Sequence, residues 1–215
     1  MQDERVILVT GGVRRVGKVI SDVLRRAGFH VAAHSRTEGS FNGDLADVAA
    51  VRALFEAVVG KCGRIDGIVN NAALFGDFSA ERFAAVNVAA PVLLSELLLR
   101  HVRACGRSGA VVNLLDCRIA GSSDDPYTRS KKDLAAFTVR EAVRFAPEIR
   151  LCGVAPGAVL KPETVFGQAG PRLLAEHPDP QAVAAAVLFL LQAEFVTGQI
   201  LYVDSGQHLM DLPNG

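Results

Sequence analysis

The chain has little of what marks a nucleic-acid, metal or membrane protein. Lysine plus arginine and aspartate plus glutamate number 23 each over 215 residues, so the formal net charge is zero. No broad field of one sign is present to gather phosphate backbones or anionic lipid. The expected partner is therefore a small molecule or another copy of the chain. Cys62, Cys105, Cys117 and Cys152 are scattered without a C-x-x-C pair, which removes the spacing of a zinc knuckle or a redox dithiol and suits a reducing compartment. His101, His177 and His208 have no ligand-like spacing either, and no metal is expected. The opening MQDER passes from charges straight into a short apolar run, without the long apolar segment of a secretory signal. The longest apolar runs, such as AVAAAVLFLL, fall short of the ~20 residues of a membrane span. A cytoplasmic location is the resulting expectation.

What is present is a large apolar fraction, 50% of the residues, enough for one well-buried core and too short a chain for two ordinary domains. No repeat, linker or low-complexity segment interrupts it, so residues 1–215 are expected to form a single domain. Short runs rich in Val and Ile alternate with stretches of helical period, the pattern of a parallel sheet covered by helices on both faces. RVILVT (Arg5 to Thr10) reads as the first strand, FHVAAHSR as the second, GRIDGIVNNAA as carrying the fourth, GAVVNLLD the fifth, IRLCGVAPG the sixth and GQILYVDSG the seventh. Val16, Val19, Ile20, Val23, Leu24 and Ala27 mark the face of a first helix that Gly28 ends. Further helices are expected over Ala46 to Lys61, Ala80 to Cys105, Pro126 to Phe145 and Pro180 to Ala193. Only TEGSFNG separates Arg36 from Asp44, where a βαβ crossover needs room for a helix. The helix between strands two and three should be missing or reduced to a turn, with strand three a stub near Ser40 to Gly43.

TGGVRRVG, Thr10 to Gly17, joins the first strand to the first helix, where a dinucleotide's pyrophosphate meets a helix N-terminus. Glycine there lets the backbone approach phosphate oxygens. The second strand ends in HSRT, His34 to Thr37, with no acid before Glu38. A carboxylate at that place would serve ribose hydroxyls, whereas cations serve a 2′-phosphate. Arg36, with Ser35 and Thr37, and Arg14 or Arg15 from the turn, are the expected guanidinium partners of NADP.

The fifth strand ends near Asp116, and YTRSK follows with Tyr127 and Lys131 one helical turn apart. Sharing a face, the ammonium should lower the phenol's pKa and make it a usable general acid. Asp116 closes an apolar strand and should point from a fixed support into the crevice at the strand ends. Ser122 and Ser123 stay open as alternatives for this third polar position.

These motifs in this order, with NNAA (Asn70 to Ala73), Asn87, Pro156-Gly157 and TGQILYVDSG, resemble the short-chain dehydrogenase/reductase superfamily over nearly the whole chain. Within it, the turn is similar to the T-G-x-x-x-R-x-G variant of pteridine reductases, matched by Thr10, Gly11, Arg15 and Gly17. Asp116 in place of serine, PGAVL without the common threonine, and SRT point the same way. The resemblance implies a Rossmann fold with a mostly seven-stranded sheet. It implies NADPH as cofactor, bound through Gly11, Arg14, Arg15, Val16, Ser35, Arg36, Thr37, Asp44, Leu45, Asn71, Ala72, Ala73, Tyr127, Lys131, Pro156 and Gly157. It further implies Asp116, Tyr127, Lys131 and Asn87 as the proton-handling set, with Asn87 holding a relay water against Lys131. Phe75, with Asp116 and Tyr127, would meet a flat pterin. The family spacing from this polar position to the tyrosine is about thirteen residues, a loop-length difference; here it is eleven, and Leu114 fills the other place.

The implied activity is reduction of a dihydropteridine, such as dihydromonapterin or dihydrobiopterin, or of dihydrofolate. Carbonyl reduction, for example of 3-oxoacyl thioesters, and a non-catalytic NADP-binding sensor are the competing readings. Leu160 to Pro180, rich in Pro and Gly, is expected to form a substrate lid. Leu97, Leu98, Phe137 and Val139 place apolar residues on more than one helix face, and in the resembling superfamily those helices build a dimer interface, so a homodimer or homotetramer is expected.

Overall fold

A computed structural model describes residues 4–159 and 172–210. Its centre is a seven-stranded sheet in the order β3-β2-β1-β4-β5-β6-β7. The strands are β1 (Val6–Val9), β2 (His30–Ser35), β3 (Phe41–Asn42), β4 (Gly67–Asn70), β5 (Gly109–Leu114), β6 (Ile149–Pro156) and β7 (Ile200–Val203). Every pairing is parallel. The helices are α1 (Arg15–Arg26), α2 (Val48–Cys62), α3 (Ala80–Phe83), α4 (Ala90–Ala104), α5 (Pro126–Phe145), α6 (Pro180–Gln192) and α7 (Gln207–Met210).

Alternation along the strands builds two cores. Val6 and Leu8 of β1, Ile68 of β4 and Val111 of β5 pack with Leu54, Leu94 and Leu134 of α2, α4 and α5. Ile7, Val9, Val69 and Val112 point the other way, onto Ile20 and Leu24 of α1 and Val183 and Val187 of α6. A period-two switch of face in continuously apolar strands is what a sheet covered on both sides requires. This is the doubly wound α/β fold expected.

The shortened crossover is also as expected. Residues 36–40 alone link β2 to β3, and no helix intervenes. The return is feasible because β3 pairs only with the last two residues of β2, His34 with Phe41 and Ser35 with Asn42. The chain needs to climb back only one short register, so a bend containing Gly39 at φ +81° suffices.

One expectation is corrected. The apolar runs were too short in sequence for a membrane span, yet α3, a π-helical segment (Ala84–Ala89) and α4 form one continuous helix, Ala80–Ala104, long and apolar enough by length and composition. Half of its most apolar window is buried inside the protein, with Leu94 and Leu98 fully enclosed, which is the burial of a core helix. Of the expected lid, residues 160–171 lie outside the described residues. The end that follows is tied down: Leu173 and Leu174 donate their backbone N–H groups to the Ser205 carbonyl at 2.9 and 3.0 Å.

Candidate active site

The groups singled out in the sequence fall mainly into two neighbouring zones at the carboxyl ends of the strands. The first is a crevice of about 780 Å³ beside the glycine-rich turn. Gly11, Arg14, Arg15 and Val16 line it from the turn, Ser35 and Arg36 from the end of β2, Asp44 and Leu45 from the far side of β3, and Asn71, Ala72 and Ala73 from the end of β4. Phe75 reaches its rim. Thr37, in the β2–β3 bend, is exposed and is not among the lining residues; its backbone N–H donates to the Ser35 hydroxyl at 3.4 Å.

The turn is shaped by contacts that leave no room for side chains. Gly11 sits at φ +63°, and a Cβ on Gly17 would overlap the Gly11 carbonyl and press on Asn71 Nδ2. Thr10, itself buried, accepts at Oγ1 from the backbone N–H groups of Asn71 and Ala72, both at 3.0 Å. Asn71 Nδ2 returns a bond to the Thr10 carbonyl at 2.9 Å. Helix α1 begins without a capping side chain or an acid in its first turn. An uncapped helix start facing a glycine cradle fits a phosphate group, because the free N–H groups and the helix dipole both favour an anion. Arg14, Arg15 and Arg36 are exposed at this crevice and suit a further phosphate.

Several contributors to this crevice were not singled out from the sequence. Arg82 of α3 lines it and approaches Asp44 at 3.8 Å. Leu74 and Val86 add apolar wall. The most informative is His34, buried at 2% exposure. Its Nδ1 accepts from the Gly11 backbone N–H at 3.3 Å, and its Nε2 faces the Gly43 carbonyl at 3.0 Å. Both contacts are satisfied by a neutral ring protonated at Nε2, and burial lowers the pKa in the same direction. His34 thus straps the glycine turn to the stub strand where the crossover helix is absent. Its signal in the sequence was only its place in HSRT.

The second zone lies at the end of β5. Asp116 is two residues past the strand and caps a short 3-10 turn (Cys117–Ala120), its Oδ1 accepting the Arg118 backbone N–H at 2.9 Å. Its Oδ2 accepts the Tyr127 hydroxyl at 2.8 Å. Ser122 and Ser123 are exposed, and Ser123 donates to Asp125 instead. Asp116 is therefore the polar group that meets Tyr127. Lys131 is 3% exposed and donates to the Leu114 carbonyl at 2.8 Å. Leu114 does serve a polar purpose, then, through its backbone.

The electrostatics correct one expectation. Lys131 was to lower the Tyr127 phenol's pKa. Instead the phenol is pushed well up, first by burial and then by the Asp116 carboxylate it bonds. Lys131 Nζ lies 5.9 Å from the ring centroid and donates to the Leu114 carbonyl, while burial takes its own pKa from 10.5 down to about 8. In this arrangement Tyr127 is a firmly protonated donor.

Asn87 lies in the π-helical segment, fully enclosed. It accepts from the Leu74 N–H at 2.8 Å and gives its two amide hydrogens to the Leu74 carbonyl and Ser130 Oγ, at 3.2 and 3.0 Å. The side chain thus grips the loop that presents Phe75, and it hydrogen-bonds to α5 at Ser130. Phe75 is 63% exposed and edge-on to Tyr127 at 4.9 Å between centroids. Pro156 closes β6 against Val203, and Gly157 follows with its N–H on the Val203 carbonyl at 3.0 Å. A Cβ at Gly157 would crowd Asp204.

With this geometry in view, comparison with known proteins is specific. The family described as enoyl-(acyl carrier protein) reductase matches residues 12–208. Carbonyl reductase family member 4 of Danio rerio is 30% identical over 96% of this chain and 99% of its own length. The crystal structure of FolM alternative dihydrofolate reductase 1 from Brucella canis, complexed with NADP, superposes with a TM-score of 0.84 at 31% identity, covering 95% of this chain and 94% of that one. The Brucella suis counterpart, also with NADP, gives 0.82 at 30% identity over 95% of both chains. Matched along nearly its whole length, and followed there by structures that hold NADP, the chain belongs to the short-chain dehydrogenase/reductase superfamily and is an NADP(H)-binding oxidoreductase.

Proposed function

We propose that the protein is an NADPH-dependent reductase of a dihydropterin, and that the hydrogen bond from Tyr127 to Asp116 is the observation that carries this reading. Bound NADPH supplies the hydride. Reduction of a C=N bond places hydride on carbon and leaves nitrogen in need of a proton. Tyr127, held protonated by burial and by the carboxylate beside it, supplies that proton as general acid. Asp116 orients the phenol and, through its second oxygen, is fixed by the Arg118 N–H. A carboxylate can also accept hydrogen bonds from the ring N–H and amino groups of a nitrogen heterocycle, which a serine serves less well.

Lys131, anchored on Leu114, retains hydrogens for a cofactor ribose hydroxyl. Pro156 and Gly157 present close-packed backbone beside that same strand end. Asn87 is a positioning residue that sets the loop bearing Phe75, and Phe75 offers an exposed aromatic surface next to Tyr127 on which a flat ring can stack. In the crevice, Arg36, aided by Arg14 or Arg15, takes the 2′-phosphate, with Ser35 beside it and Thr37 reaching in from the exposed bend as a hydroxyl partner. The FolM structures, described as alternative dihydrofolate reductases, support the same substrate class.

The chain is further proposed to work as a homodimer or homotetramer packed through α4 and α5. Val139 and Val143 of α5 are 50% and 83% exposed, with Leu97 of α4 only partly covered, whereas Leu98 and Phe137 are already buried within the subunit. Light scattering at micromolar concentration should find an oligomer, and a monomer would overturn this.

The activity test is the initial rate of NADPH loss with a 7,8-dihydropterin and, in parallel, with an acetoacetyl thioester. Turnover of the dihydropterin is expected. Turnover of the thioester alone would make the protein a carbonyl reductase and Asp116 a capping residue.

A further inference from the structure

Arg118 is an exposed cation of the site that, among the described residues, forms no salt bridge. Three carboxylates cluster on its side of the site, and each is engaged elsewhere. Asp116 accepts from the Arg118 backbone and from Tyr127. Asp124 pairs with Arg129. Asp125 caps α5 through Thr128 and also accepts from Ser123. The exposed Arg118 guanidinium instead lies over two rings, 5.5 Å from the Phe75 centroid and 5.8 Å from that of Tyr127. Among the described residues it has no salt bridge and no side-chain hydrogen bond.

A guanidinium stacked on aromatic faces is held in place while its in-plane N–H fork stays open. That fork matches a carboxylate or phosphate bidentately. Its location is also particular: it adjoins the two rings against which the substrate ring is proposed to lie. A substituent extending from that ring has the exposed Arg118 within reach.

Resting on the dihydropterin reading above, we propose that Arg118 is a specificity-determining residue that selects dihydropterins whose side chain ends in carboxylates, as in dihydrofolate, over those with neutral side chains. The carboxylate gains a preorganised charged partner that a hydroxylated side chain uses far less well.

The experiment compares kcat/KM for dihydrofolate and for dihydrobiopterin in the wild type, Arg118→Gln and Arg118→Lys, with NADPH saturating. The readout is the ratio of the two values, which isolates discrimination from any general loss. Because Asp116 is held by the backbone of residue 118, neither substitution removes that bond. Arg118→Gln should lower the dihydrofolate-to-dihydrobiopterin ratio about tenfold, as loss of a hydrogen bond to a charged group implies, acting mainly through the KM for dihydrofolate. Arg118→Lys should restore part of it. In the wild type, raising ionic strength should raise the KM for dihydrofolate and leave that for dihydrobiopterin nearly constant. An unchanged ratio in Arg118→Gln, whether both values fall together or neither moves, overturns the inference and leaves the reductase reading standing. A wild type that turns over neither pterin overturns both.

Discussion

The two zones of the site are built by different physics. The cofactor crevice is made largely of backbone: a glycine turn too tight for a Cβ, an uncapped helix start, and the Thr10 and Asn71 bonds that lace the ends of β1 and β4. The corner at β5 and α5 is made of side chains, with Tyr127 bonded to Asp116 and burial raising the Tyr127 pKa and lowering that of Lys131. The first can be preformed without a ligand. The second depends on burial, and the Tyr127 and Lys131 pKa values are expected to move again when a ligand alters burial and charge around them.

If that contrast is right, damage to the corner should cut chemistry and spare binding, and damage to the crevice should do the reverse. The largest effect is expected from Tyr127→Phe, which removes the proton donor and should lower kcat by about 10²- to 10⁴-fold, with the NADPH dissociation constant little changed by fluorescence titration. Gly17→Ala should follow. The added Cβ must displace the Gly11 carbonyl, and NADPH affinity should fall by about a hundredfold, since a fixed backbone cannot yield without strain. Circular dichroism checks that the fold survives.

Lys131→Met separates stability from function. The folded protein releases the Lys131 proton near pH 8, and the unfolded chain near 10.5. Between those values the unfolded state binds more protons, so stability should rise with pH from about 8 to 10.5, and below 8 the full cost of burying the charge applies. That cost is on the order of 3 kcal/mol. The variant should therefore resist urea better than wild type at pH 7 in the absence of cofactor, while losing turnover. A variant less stable at pH 7 would mean that the Leu114 bond outweighs the burial. The smallest effect is expected at His34→Asn. It can keep an acceptor for Gly11 but not the reach to Gly43, and should weaken NADPH binding about fivefold, the worth of one hydrogen bond.

What the sequence made legible follows the same division. The β1–α1 turn, the trimmed β2–β3 crossover and the succession of strands and helices rest on local spacing, glycine positions and apolar period, and all can be read along the chain. Asp116 was readable because it ends an apolar strand eleven residues before Tyr127. The reversed influence on the Tyr127 phenol was not, since helical spacing places Lys131 on the right face but says nothing about the Leu114 carbonyl that holds its Nζ. Nor could His34 be read as a strap: its partners, Gly11 and Gly43, meet it only once β2 lies between the turn and the stub strand. Arg118 over Phe75 and Tyr127 is the same kind of contact, which brings the loop after β4 against the turn and helix start that follow β5.

The account turns on Asp116 and Tyr127 acting together on a nitrogen heterocycle. The most direct measurement is kcat for a 7,8-dihydropterin in Asp116→Asn, which retains an oxygen for the Arg118 N–H and removes the carboxylate charge, with NADPH affinity measured alongside. A fall of about a hundredfold or more with NADPH binding intact is the predicted result. Undiminished turnover of the dihydropterin would contradict it and reduce Asp116 to the cap of its turn.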